Sequence, residues 1–258
     1  MARSVFYYHL KRMKSCEKHA DAKELIKNIF HEHKGRYGYS RVTSEMRNRG
    51  ILINHKTVHG LMGAMGLKSK IRRVRYRSYK DEVGKIAPNI INRNFTADAP
   101  NQKWATDVTQ INIGSEKLYL SPILDMFNGE IVSYNISRNP NLEQIYDMLE
   151  KAFEKFDSLE GLVIHSDQGW QYQHYGYRQR LAGHKVIQSM SRKGNCLDNA
   201  MAENFFGIMK SELLYAEKFE SADDFIMALE EYIDYYNNKR IKSRLKGKSP
   251  VQYRTLSR

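Results

Sequence analysis

Residues 104–136, WATDVTQINIGSEKLYLSPILDMFNGEIVSYNI, decide the fold class. β-Branched and aromatic side chains fill three runs, 104–113, 117–126 and 130–136. Gly114-Ser115 and Asn128-Gly129 part them, and the second pair is a strong hairpin signal. Downstream the rhythm changes to a helix over about 142–156, a short buried strand Leu162-Val-Ile-His165, a helix over about 172–182 and a strand at 185–189. A three-strand meander followed by alternating helices and strands predicts an α/β domain with helices packed on a mixed sheet.

Upstream of this stretch the pattern is helical. Ala22, Leu25, Ile26 and Ile29 share one helix face. After a Gly- and Tyr-rich turn at 35–39, Ser40 is the expected N-cap of a second helix that stops at Gly50. Asn54 is the expected cap of a third, in which Val58, Leu61, Met62 and Met65 repeat the apolar rhythm before Gly66. Helices two and three form a helix-turn-helix pattern, with His55, Lys56, Thr57 and His59 free to face a DNA groove. A small structural three-helix bundle is the alternative. His55 and His59 could share a face, but no cysteine pair completes a zinc site.

Residues 68–80 interleave basic and aromatic side chains and include Arg72, Arg73 and Arg75, a composition suited to phosphate neutralisation or to a linker. Weak periodicity with Pro88 and Pro100 places an inter-domain connection at 81–103. The expected organisation is a DNA-binding segment with its basic arm over 1–80, a linker over 81–103, a catalytic core over 104–238 and a basic tail over 239–258.

Charge follows the same divisions. Residues 1–106 hold 23 Lys/Arg against 8 Asp/Glu, residues 107–238 hold 11 against 21, and the last 20 residues hold 8 basic and no acidic side chains. Basic ends around an acidic middle fit a protein that grips a polyanion and gathers carboxylates at its centre. No apolar run is long enough to span a membrane, and the N-terminus lacks the apolar stretch of a signal peptide, so the expected location is the cytoplasm or nucleoid. Cys16 and Cys196 stand far apart and read as reduced thiols.

Asp107 interrupts an apolar strand, where an unpaired carboxylate is costly. Asp167 follows a short buried strand, at the edge where α/β sheets place ligand groups. Glu203 flanks the apolar stripe Ala202, Phe205, Phe206, Met209 and Leu213 of a helix beginning near Asp198, on a polar stripe shared with Asn199 and Lys210. The interval alone decides nothing, because Asp107 and Glu143 share it; Glu143, at a helix start after Asn-Pro-Asn, reads as a complement to the helix dipole. Asp198 reads as a helix N-cap, His165 as a residue that orients the site, and Asp125 as a structural acid. Three such acids can bind two divalent cations.

The segments Trp104-Ala-Thr-Asp107, His165-Ser-Asp167-Gln-Gly169 and Ser191-Arg-Lys-Gly-Asn-Cys-Leu-Asp198-Asn-Ala-Met-Ala-Glu203 resemble those of the integrase-like DDE transposases, in particular the OrfB subunit of the insertion-sequence-three family. Lys210 matches a basic residue of that family, and further matches at Tyr37–Arg41, Asn54–Val58, Tyr235–Lys242 and Lys248–Arg254 extend the resemblance over nearly the whole chain. The resemblance implies an RNase H-like core, a mixed five-stranded sheet flanked by helices and preceded by the small helical segment. It implies that Asp107, Asp167 and Glu203 hold two Mg2+ or Mn2+ ions, and that Lys210, Asn199, Arg192 and Lys193 meet DNA. Terminal inverted repeats and target DNA are the implied partners, with an upstream OrfA-type helix-turn-helix protein and a homo-oligomer in the synaptic complex. No membrane partner is implied. A nuclease that cuts without joining and a non-catalytic DNA-binding repressor remain alternatives to a DNA strand transferase.

Overall fold

The computed structural model describes residues 19–69, 85–193 and 196–257, which divide between two compact units, one ending at Lys70 and one beginning at Ile71. The expectations for Arg72, Arg73, Arg75 and Cys16 lie outside the described residues, as does most of the basic arm.

The first unit consists of α1 (Ala20–Glu32), α2 (Tyr39–Asn48) and α3 (His55–Ala64). Of the faces that the apolar rhythm marks, Ile26, Ile29, Val58 and Met62 are buried and Ala22, Leu25, Leu61 and Met65 half-buried; Tyr37, Val42 and Met46 are buried as well. Asn54 caps α3, its side chain accepting from the Lys56 N–H at 2.8 Å. Ser40 does not cap α2. Gly38, in extended backbone, precedes the first helical residue, so the chain turns into the helix before Ser40 is reached.

In the second unit the first predicted strand is two: β1 (Lys103–Thr106) and β2 (Thr109–Ile113). Both pair antiparallel with β3 (Glu116–Asp125) in one unbroken register, Thr106↔Ile123 and Thr109↔Leu120, which sets Asp107 opposite Pro122. Proline offers no N–H to a ladder, and the pairing lapses there. β4 (Ile131–Ser137) continues the meander beyond β3, while β5 (Val163–Ser166) lies parallel to β1 and β6 (Ile187–Met190) parallel to β5. The sheet order is thus β4-β3-β1-β5-β6, with β2 extending beside β3.

Helices cover both faces. α4 (Leu142–Phe153) and α5 (Tyr175–Gly183) bury Ile145, Met148, Leu149, Tyr177 and Leu181 against Trp104, Ile123, Val132 and Ile164. On the opposite face α6 (Ala200–Met209) and α7 (Ala222–Asn238) bury Ala202, Phe205, Met209, Phe225 and Leu229 against Ile111, Leu118, Leu120 and Ile131. Neighbouring Ile131 and Val132 enter opposite layers, as the pleat requires. The helix expected over 172–182 starts later, after a single turn at Trp170–Gln173, with His174 accepting from the Gly176 N–H.

Two boundaries need correction. Residues 85–102, expected as linker, are a strap on the core: Ile91 is buried with Ala105 and Met126, and Ile90 donates its N–H to Ser189 Oγ at 2.9 Å. The strap has no helix or strand, so it has no rhythm to read. The expected basic tail also folds back. Ser249 caps a last helix, α8 (Pro250–Leu256), and Arg254 pairs with Glu130 at 2.8 Å. Asn128 donates to the Pro250 carbonyl at 2.9 Å, and Arg240 is only 2% exposed. Arg240 and Arg254 here serve ion pairs inside the fold, while Lys239, Arg244 and Lys246 stay exposed.

Candidate active site

Parallel pairing of β1 with β5 sets Ala105 beside His165. Two residues further along each strand stand Asp107 and Asp167, so both carboxylates leave the sheet at the same carboxyl edge. Asp107 Oδ1 accepts from the Val108 N–H at 2.7 Å and Oδ2 from Asn199 Nδ2 at 2.9 Å. Asp167 Oδ1 accepts from the Gly169 N–H at 2.9 Å. A Cβ on Gly169 would come within 2.9 Å of that oxygen and meet the Gln171 amide, so a larger residue there would push aside the Asp167 carboxylate and Gln171.

Electrostatics tie the third acid to this pair. Removal from water pushes Asp107 well above the usual carboxylate range, and the charges of Asp167 and Glu203 push in the same direction. The Val108 N–H and Lys210 oppose the shift. Asp167 is raised by its own desolvation. Asp107 nevertheless keeps a solvent-accessible edge, as Asp167 and Glu203 do. Lys210 donates to Thr109 Oγ1 at 2.9 Å, and burial lowers its pKa against the pull of Asp107.

Among the described residues, no three His, Cys, Asp or Glu side chains are grouped closely enough to hold a metal ion as placed. The donor set still fits a hard divalent cation. Two carboxylates at one sheet edge repel each other, a third lies within their field, and Asn199 Oδ1 is buried without a hydrogen-bond partner beside Asp107.

Asn199 is fixed by the residue before it. Asp198 is not the helix cap; its buried carboxylate takes Arg192 Nε and Nη2 at 2.8 and 2.9 Å, Arg93 Nε at 3.0 Å and Asn89 Nδ2 at 3.0 Å. The guanidinium of Arg192 foremost holds Asp198 far below the usual carboxylate range. The Asp198 carbonyl accepts from His165 Nε2 at 2.8 Å, and His165 Nδ1 meets Ser189 Oγ at 2.8 Å. The Asp198 carbonyl can only accept, so His165 Nε2 carries a proton, while Ser189 Oγ joins His165 Nδ1 to the Ile90 N–H of the strap. Burial lowers the His165 pKa. The strap, β5, β6 and the start of α6 thus meet at Asp198.

Asp198→Ala is expected to cost about 2 kcal/mol, since hydrogen bonds to charged groups are worth ~1.5–3 and both guanidinium groups remain half in water. A carboxylate with a depressed pKa stabilises the fold above its unfolded value and loses that contribution as pH falls. The variant should therefore lose most near neutral pH and distinctly less near pH 2, part of the way down to the folded pKa. Urea unfolding at both pH values measures this; equal losses at both would contradict the assignment.

The sequence motifs find Asp107, Asp167, Glu203, Asn199 and Lys210, and the structure brings them to one region. Arg192, expected at DNA, is engaged by Asp198, while Lys193 is exposed. His55, Lys56 and His59 are exposed on α3 in the first unit, Thr57 is half-buried, and Tyr39 lies against both histidine rings. Asp125 is buried and accepts from the Asn101 and Phe127 N–H groups, a structural role; Glu143 is exposed in the first turn of α4. Ser189, Arg93 and Asn89 went unread because nothing in their local sequence marks them. Thr109 could have been found, two residues beyond Asp107 in the same motif.

Residues 97–196 and 203–257 match patterns described as Integrase core domain, and residues 18–75 match an HTH-like domain. The chain is 50% identical to InsK of insertion sequence element IS150 of Escherichia coli (strain K12), over 98% of this chain and 89% of that one. It is 32% identical to the transposase InsF of insertion sequence IS3A of the same organism, over 91% and 82%. Among solved structures, a chain of the simian T-cell lymphotropic virus intasome in complex with PP2A regulatory subunit B56 gamma matches with a TM-score of 0.52 at 15% identity, covering 89% of this chain and 74% of that chain. At that identity the likeness speaks to the RNase H-like fold alone.

Proposed function

Since the chain belongs to the integrase-core transposases of bacterial insertion sequences, we propose that it is a metal-dependent DNA strand transferase that cuts the ends of its element and joins them to other DNA. The observation that carries this reading is the pairing of Asp107 and Asp167 at one edge of parallel strands, with Glu203 in the same field.

Asp107, Asp167 and Glu203 would hold two Mg2+ or Mn2+ ions. Such ions activate a water or a 3′-hydroxyl for attack and stabilise the departing 3′-oxygen. Asn199 fixes the rotamer of Asp107 through its Nδ2–H. Lys210, anchored on Thr109, offers a cation beside the acids for a phosphate oxygen. Gly169, whose N–H donates to Asp167 Oδ1, leaves that carboxylate unobstructed by a side chain of its own. His55, Lys56, Thr57 and His59 read a groove, while Lys193, Arg72, Arg73 and Arg75 neutralise phosphates and Arg192 lends only what Asp198 leaves it. Two ends must meet, so a homo-oligomer assembles on DNA, and an upstream OrfA-type protein adds recognition of the terminal repeats. Among the described residues, no helix is long and apolar enough to cross a membrane.

The test is a strand-transfer assay with labelled terminal-repeat DNA and Mg2+, alone and with the upstream partner. Joined products that Glu203→Gln abolishes are expected. Cleavage without joining identifies a nuclease, and binding without either product a repressor. Affinity for DNA should fall with salt at a log–log slope of about −4 or steeper, as about five neutralised phosphates require. A flat profile would remove the phosphate-gripping role.

A further inference from the structure

We propose that a recess beside the two aspartates takes one unstacked nucleobase of the DNA being processed. This rests on the strand-transferase reading and specifies where a base goes while its phosphate meets the acids.

The recess, about 200 Å³, lies between β2, β3, the start of α4 and the Trp170 turn. It adjoins the catalytic edge through the chain itself. Val108, on its wall, follows Asp107, and Trp170 and Gln171 come just after the Asp167–Gly169 turn. Its lining is uncharged among the described residues: apolar Val108 and Ile145, the amides of Gln110, Gln144 and Gln171, and the Trp170 indole figure in it. A site built for phosphate, in a chain of net charge +13, would present a cation. Amide edges beside apolar walls suit a neutral planar heterocycle with its own donors and acceptors.

Two further observations favour a base. Trp170 is 53% exposed, whereas the other tryptophan, Trp104, is wholly buried, so the indole offers a stacking face that folding does not use. Gln144 is 3% exposed and donates Nε2–H to the Tyr119 carbonyl at 2.8 Å; the bond holds its amide rigid and leaves Oε1 as an acceptor. Drawing one base out of the duplex frees the adjoining phosphate to approach buried acids, at an unstacking cost that stacking on Trp170 offsets.

A thermodynamic cycle between residue and base tests this. The full chain and Trp170→Ala are titrated with terminal-repeat duplexes that are intact or carry one abasic site, at each position within two nucleotides of the cut. Trp170→Ala is expected to weaken binding of intact DNA about tenfold and to have no effect when the abasic site replaces the captured base. Trp170→Phe should restore most of the coupling. Additive effects at every position, in a protein that binds and cuts intact ends, would overturn the base pocket and leave the strand-transferase reading standing. Failure of the wild type to bind and cut intact ends would overturn both. Unfolding midpoints of the variants within experimental error of wild type would exclude a folding defect as the source of coupling.

Discussion

Asp107→Asn is expected to cut strand transfer by at least about 10³-fold while raising the unfolding midpoint of the cation-free protein by roughly 2–4 °C. The first effect follows from removing one of three charged ligands, since bound cations contribute several kcal/mol to the transition state and each ~1.4 kcal/mol is tenfold. The second follows from the site's electrostatics. Desolvation, Asp167 and Glu203 all disfavour the charge on Asp107. An amide keeps the shape without the charge, and about 1 kcal/mol recovered in a protein of this size amounts to the stated midpoint change. The sign with pH can be checked. A carboxyl whose folded pKa is raised contributes stability below its unfolded value, and that stability is lost as pH rises through the folded pKa. Wild type should therefore fall behind the variant as pH climbs from 4 toward 8. Differential scanning calorimetry across that range in chelator measures it; a variant less stable than wild type at pH 8 would show that the acids are not mutually strained.

Arg240→Ala should destabilise the protein by about 3–5 kcal/mol, the usual consequence of leaving one member of a buried ion pair without its partner. Arg240 binds Glu212 through both Nε and Nη2, at 2.8 and 2.7 Å, and Tyr232 Oη donates to the same carboxylate at 3.0 Å. Burial works against the charge on Arg240, and Glu212 more than offsets it. Glu212 sits in the π-helical turn Lys210–Leu214 that follows α6, so this pair anchors the end of the helix bearing Glu203 to the chain after α7. The joint replacement Glu212→Leu with Arg240→Met should cost far less than either single truncation, because no charge is stranded. Urea unfolding of the three variants decides it, and a single truncation as mild as the pair would contradict the buried-charge account.

Sequence reading reached the parts of the fold that have a local rhythm. The later strand runs, the stripe through Ala202, Phe205 and Met209, and the cap at Asn54 depend on neighbours a few residues apart, and each is found within a residue or two of where the pattern puts it. The strap at 85–102 and the folded-back 239–257 depend on partners far along the chain, such as Ser189 for Ile90 and Glu130 for Arg254, which no periodicity reports. The same division holds at the site. Asp107 and Asp167 were legible as polar residues at apolar strands, whereas the role of Asp198 was misread because its ligands, Arg93 and Asn89, approach from the strap. The break at Asp107 was encoded across the sheet, in Pro122, so the first strand looked continuous.

The central claim is that Asp107, Asp167 and Glu203 make one divalent-cation site, and calorimetric titration of Mn2+ into the purified protein tests it most directly. Wild type should bind Mn2+ with a heat that Asp107→Asn, Asp167→Asn and Glu203→Gln each abolish or reduce at least about tenfold, while none of the three cation-free variants unfolds below the wild-type midpoint. Unchanged Mn2+ binding in Glu203→Gln would contradict the account, because the helix acid would then stand outside the site that the two strand acids begin.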